Sequence, residues 1–103
     1  MKSKSLLLAL ILPFYPIYAS DAKFHLEQGN QYLLSGKFND AIQSYDTAIH
    51  QDPLDYLSYY KRATAYLSIG KTNSAIEDFS KILELKPGFR QALLQRAKLH
   101  VAD

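Results

Sequence analysis

The chain is 103 residues long, enough for one small domain and too short for a large core. Its 12 Lys and Arg exceed its 10 Asp and Glu, but Lys2 and Lys4 stand at the extreme N-terminus, so from Ser20 onward 10 bases face 10 acids. A neutral domain argues against generic binding to a phosphate backbone, which draws on clustered bases. The absence of cysteine excludes disulfide scaffolds, thiolate metal sites and cysteine nucleophiles, and leaves the redox compartment open.

The first segment, 1–19, has the order of a signal peptide. MKSKS is basic, Leu6 to Leu12 is unbroken apolar chain, Pro13 and Pro16 are expected to break any helix, and Ala19 is small. Cleavage after Ala19 is expected, and no membrane segment after it. A membrane anchor is the weaker reading, since spanning takes about 20 apolar residues. The sequence carries no N-x-S/T sequon and ends in HVAD, which is not a KDEL-type retention signal.

Helices are expected at 21–34, 38–50, 55–68, 72–85 and 90–103. Gly36 and Gly70 stand just past the first and third, where a left-handed cap residue is favoured. Pro53 and Pro87 close the second and fourth. Asp55 is placed to cap the third.

The stretch YLSYYKRATAYL, residues 56–67, mixes tyrosines with Lys61 and Arg62. That pattern suits base stacking in a nucleic-acid binder. It also suits a packed helix. At about 100° per residue, Tyr56, Tyr59, Ala63 and Tyr66 share one arc. Leu57, Tyr60, Thr64 and Leu67 form a second. Lys61 and Arg62 fall roughly 100° apart and are expected to flank the tyrosines as solvated charge. No nucleic-acid partner is expected.

Gly29, Tyr32, Gly36, Ala41, Tyr45 and Pro53 recur 34 residues later as Ala63, Tyr66, Gly70, Ala75, Phe79 and Pro87. The first two recur again as Ala97 and His100. This register resembles the tetratricopeptide-repeat family. The expected fold is therefore all-α, a helix-turn-helix solenoid of two full repeats, 22–55 and 56–89, and the first helix of a third, 90–103. His25, Gln28 and Arg62 depart from the family's large apolar choices. Ala41, Ala63 and Ala75 should mark close helix approaches, with Tyr32, Tyr45, Tyr66 and Phe79 filling the space left.

The family resemblance implies that the first helix of each repeat lines a concave groove. The residues it places there include Leu26, Asn30, Leu33, Leu57, Tyr60, Thr64, Leu67 and Leu94. Two readings stay open: the apolar members pack between repeats, or they form an apolar peptide-binding groove. A related class grips acidic chaperone tails with a carboxylate clamp. The matching positions here are Leu26, Asn30, Lys61, Gln91 and Gln95, of which only Asn30 fits, so such tails are not expected as partners.

HLEQG at 25–29, DPLDYLSYYKRATAYLSIGK at 52–71 and DFSKILELKPGFRQALLQRA at 78–97 are similar to one group in particular. These are endoplasmic-reticulum co-chaperones with tetratricopeptide repeats and a J domain, the DnaJ-homologue type known as inhibitors of the interferon-induced protein kinase, with a fungal counterpart. The resemblance implies a lumenal protein that binds unfolded client polypeptides through an apolar patch and delivers them to the lumenal Hsp70. None of His25, His50 and His100 begins the His-Pro-Asp triplet that a J domain requires. The alternative is a secreted or periplasmic scaffold that assembles a protein complex.

Leu93, Ala97 and Val101 would pack on a following helix, so marginal stability or self-association through 90–103 is expected. No enzyme, catalytic residue, metal or cofactor is expected. The histidines have no partners at ligand spacing, the glycines are scattered, and no G-x-S-x-G occurs. Glu77 and Asp78 read as solvated charge on an outer helix face.

Overall fold

The computed structural model describes residues 14–102, with side chains from Asp21 to Val101. Five helices follow one another: α1 Phe14–Leu34, α2 Phe38–Gln51, α3 Tyr56–Ser68, α4 Thr72–Leu85 and α5 Arg90–Ala102. The described residues contain no strand. The basic start and the whole apolar run of the expected signal peptide lie outside the described residues.

The two short turns within the repeats are copies of each other. Gly36 has φ +74° and Gly70 φ +77°, the left-handed region that a Cβ disfavours. Around each glycine two backbone N–H groups turn back on the last carbonyls. Gly36 N donates to Leu33 O at 3.1 Å and Lys37 N to Tyr32 O at 2.9 Å. Gly70 N donates to Leu67 O at 3.1 Å and Lys71 N to Tyr66 O at 2.9 Å. Both are Schellman closures, so α1 and α3 end for the same local reason.

The links between repeats use different chemistry. Asp55 caps α3 as expected: Leu57 N donates to its Oδ1 at 3.1 Å, and the Ser58 hydroxyl to its Oδ2 at 3.1 Å. The Tyr59 hydroxyl donates to Pro53 O at 2.9 Å and ties the helix back to its own entry loop.

One boundary departs from the expectation. α1 begins at Phe14, not near residue 21, and runs through Pro16 and across the expected cleavage position. Pro16 lies in the first turn, where an N–H has no intrahelical acceptor to lose, so the ring does not break the helix.

Two apolar clusters hold the stack. One joins Ala41 and Tyr45 of α2 to Ala65 of α3, with Leu26, Tyr32 and Leu33 of α1 and Ile42 of α2 against it. The other joins Tyr59 and Ala63 of α3, Ala75, Phe79 and Ile82 of α4, and Ala92 of α5. Ala41, Ala63 and Ala75 are wholly buried, which is the close approach their size permits. Tyr45 and Phe79, at matching repeat positions, are the largest fully buried side chains.

Gly29 sets the spacing in the first repeat. A Cβ built there would stand 2.5 and 2.7 Å from ring atoms of Tyr45. At the matching position of the second repeat, Ala63 is accommodated. Gly29→Ala should therefore destabilise the fold by about 1–3 kcal/mol through overpacking. In an unobstructed helix the same change would stabilise by about 1 kcal/mol. A urea titration decides between the two signs.

Candidate functional site

The first helices of the two pairs, α1 and α3, and the single helix α5 carry the residues placed in the groove by the sequence. Leu57 on α3 and Leu94 on α5 are exposed, at 45% and 54%. Phe24 on α1, which the sequence reading did not include, is also exposed. The remaining apolar members are half-buried and have a packing role. Leu26 and Leu33 lean on the cluster around Tyr45. Tyr60 and Leu67 lean on the cluster around Phe79.

Tyr60 shows how close that packing is. Its ring meets Phe79 edge-on at 5.6 Å between centroids and Phe89 at 5.9 Å. Tyr56 packs beside it on Phe89 at 5.0 Å, under the Lys86 ammonium. The polar members are tied down as well. Asn30 Oδ1 accepts the Tyr45 hydroxyl at 2.6 Å, and the Thr64 hydroxyl donates to Tyr60 O at 3.1 Å. The apolar members other than Leu57 and Leu94 are thus half-buried and packed on the core, while Leu57 and Leu94 are exposed. On α5, Leu93, Ala97 and Val101 are exposed too.

Two charged residues are not where the sequence reading put them. Arg62 is not a solvated flank. Its Nη2 and Nε donate to the two oxygens of Asp78 at 2.6 and 2.9 Å, and its Nη1 donates to Asp46 Oδ1 at 2.8 Å. Its guanidinium carbon lies 5.7 Å from the centroids of both Tyr59 and Tyr66, between the rings it was expected to flank. Asp78, expected as solvated charge, is buried at 4% exposure; Glu77 is exposed as expected.

A wheel drawn on one helix gives an angle and not what the next helix brings to it. The signal available was spacing. Asp46, Arg62 and Asp78 stand 16 residues apart, and Arg96 reaches the Ser80 hydroxyl at 3.5 Å across the same 16 residues. Arg62 departs from the family's apolar choice because it is the centre of this cross-repeat tie.

Burial raises the Asp78 carboxyl and the Arg62 contacts lower it; burial is the larger effect, so the carboxyl sits above its ordinary 3.8. Burial pushes the Arg62 guanidinium down, but its hydrogen bonds to Asp78 and Asp46 and the attraction of the Asp78 charge together outweigh that, so it is held above its ordinary value and charged.

Among the described residues, no group of three or more His, Asp or Glu side chains stands together as a metal site. No helix among them is long and apolar enough to cross a membrane.

Residues 29–70 match the family model described as TPR repeat, and residues 56–89 the one described as Tetratricopeptide repeat. The chain belongs to the tetratricopeptide-repeat family. It is 54% identical over 74 residues to the tetratricopeptide repeat and J domain-containing co-chaperone DNJ1 of Fusarium oxysporum, covering 72% of this chain and 14% of that protein. It is 40% identical over 80 residues to human DnaJ homolog subfamily C member 3, covering 78% of this chain and 16% of that protein.

This tetratricopeptide-repeat chain therefore spans about one-seventh of the length of these curated relatives. Among solved structures it is similar to the TPR domain of P58(IPK), with TM-score 0.71 and 41% identity over 74% of this chain and 21% of that one. It is also similar to the first TPR of Spaghetti (RPAP3) bound to the HSP90 peptide SRMEEVD, with TM-score 0.77 and 27% identity over 82% of this chain and 67% of that one.

Proposed function

We propose that this tetratricopeptide-repeat segment serves as the client-holding part of a co-chaperone of the endoplasmic-reticulum lumen. It holds unfolded secretory polypeptides by apolar contacts along α1, α3 and α5. Delivery to the lumenal Hsp70 belongs to a J domain, which the names of the relatives attribute to the longer proteins. The observation that carries this reading is the exposure of Leu57 and Leu94 on a face whose other apolar members are fixed in the core. An apolar face on a rigid scaffold suits extended chain with exposed hydrophobic side chains. The signal-like start of the chain supports passage into the secretory pathway. The segment acts by binding and not by catalysis.

An acidic chaperone tail, as in the peptide-bound relative, suits this face poorly. Leu26, Gln91 and Gln95 stand where a carboxylate clamp would need basic groups, and Asn30 Oδ1 is engaged by Tyr45.

The test is suppression of aggregation of a denatured reporter enzyme. The Leu57→Asp/Leu94→Asp double variant should suppress it less effectively, by about tenfold or more: full burial of a leucine is worth roughly 1.5–3 kcal/mol, about half of each side chain remains to be buried, and the two together reach that range. Both side chains are exposed, so the urea midpoint should move by no more than about 0.5 kcal/mol per site. Unchanged suppression by a folded double variant would rule the face out.

A further inference from the structure

A polar cavity of about 240 Å³ opens between α1 and α2, lined in part by His25, Gln28 and Tyr32 from α1 and by Asp40, Ser44 and Thr47 from α2. It lies away from the proposed client face. At about 100° per residue, the α1 residues that line it are roughly 80–160° around the helix from Leu26 and Leu33.

The second repeat shows what this cavity corresponds to. Moving 34 residues along the chain, His25 becomes Tyr59, Gln28 becomes Arg62, Tyr32 becomes Tyr66 and Ser44 becomes Asp78. These are the four residues of the buried tie. In the second repeat the space is filled by the chain's own guanidinium, set between two aromatic rings and hydrogen-bonded to a carboxylate. In the third repeat the same position is again an arginine, Arg96, turned toward α4. Only the first repeat has a shorter, uncharged side chain there, Gln28, and there the seat stands open.

What lines the open seat still suits a guanidinium. His25 and Tyr32 take the places of the two flanking rings. Asp40, in the first turn of α2, supplies a carboxylate on the opposite wall. The Thr47 hydroxyl has its proton committed to Gln43 O at 3.2 Å, which leaves its oxygen to accept. Among the described residues, no lysine or arginine lines the cavity. Acceptors on the wall, one negative charge and two aromatic rings favour a flat, donor-rich cation.

We propose that this cavity is a binding site for an arginine side chain presented by a polypeptide. It takes from a partner the guanidinium that Arg62 supplies internally in the next repeat. The client-face reading is independent of it.

The probe is N-acetyl-arginine amide, titrated into the labelled full chain and followed by amide chemical shifts. Saturable shifts are expected at His25, Gln28, Asp40 and Ser44, and not around Arg62, whose seat is filled. The citrulline analogue, which keeps the shape and loses the charge, should bind about tenfold or more weakly, as should the arginine probe to Asp40→Asn. Gln28→Arg with Ser44→Asp rebuilds the internal tie and should abolish the shifts. Asp40 is exposed, so its variant reports on the site even if the double variant does not fold. Absence of saturable shifts, or equal binding of arginine and citrulline, overturns the proposal.

Discussion

Asp78→Ala is expected to destabilise the chain by about 3 kcal/mol, seen as a lower urea midpoint at unchanged slope. Removing one partner of a buried ion pair costs about 3–5 kcal/mol, because the other charge is left without compensation. The low end applies here, since Arg62 keeps its contact to Asp46 and 19% of its side-chain exposure. Asp46→Ala should cost less than about 1 kcal/mol. That carboxylate is 52% exposed, and screening by water discounts the pair.

The pair is also expected to be dispensable as a pair. Burial holds the Asp78 carboxyl above its ordinary value, so the desolvation of the charge is not fully offset by Arg62. Such pairs are often replaced by uncharged residues at little cost. The first repeat contains that replacement, Gln28 and Ser44, at the matching positions. Arg62→Gln with Asp78→Ser should therefore recover most of what Asp78→Ser loses alone, and a double-mutant cycle measures the difference.

The sign with pH follows from the raised carboxyl. The folded chain favours the protonated form more than the unfolded chain does, so the part of the stability that titrates with Asp78 is fully present below pH 3.8 and is lost as pH rises through the raised value; above it the ionised pair remains, less the desolvation that Arg62 does not offset. Comparison with Asp78→Asn isolates that slope from the other carboxylates.

The tie also shows where the sequence stopped being legible. The five helices, the two glycine closures and the Asp55 cap were readable, because each is set by a few neighbouring residues and repeats at 34. The start of α1 was not, because proline breaks a helix or is tolerated in it according to how many residues precede it. The arcs of the first helices were readable as arcs. Their energetics were not: Tyr60 and Leu67 were legible as one arc of α3, but only the third dimension places Phe79 and Phe89 against them. Arg62 and Asp78 carry the largest error for the same reason. A charge reads as solvated until an opposite charge 16 residues away is brought to within hydrogen-bond distance. The open seat at Gln28 was legible only as a departure from the family pattern, and its shape needed Arg62 as a template.

Tyr45 should make the chain sensitive to alkali. Its ring is wholly buried, and burial pushes its phenol up from 10.0 to about 12. A raised folded value means that the protonated phenol is favoured in the native chain. Its stabilising contribution is therefore fully present below pH 10 and is lost as pH rises through about 12. At about 1.36 kcal/mol per unit, the loss across that window is about 2–3 kcal/mol.

Tyr45→Phe should remove this alkaline loss. It should cost only about 1 kcal/mol at neutral pH, because it gives up one hydrogen bond to Asn30, which is half-buried and can exchange that bond for water. The chain has 8 tyrosines, so phenolate absorbance alone would not isolate this one; the difference in urea midpoint between wild type and Tyr45→Phe at each pH does. The ring has little freedom to carry its charge outward, since Gly29 closes against one side of it and Asn30 holds its hydroxyl. If the two chains lose stability in parallel between pH 10 and 12, the phenolate is reaching solvent in the folded state. The tight seat of Tyr45 against Gly29 would then be wrong, and Gly29→Ala should prove harmless by the same reasoning.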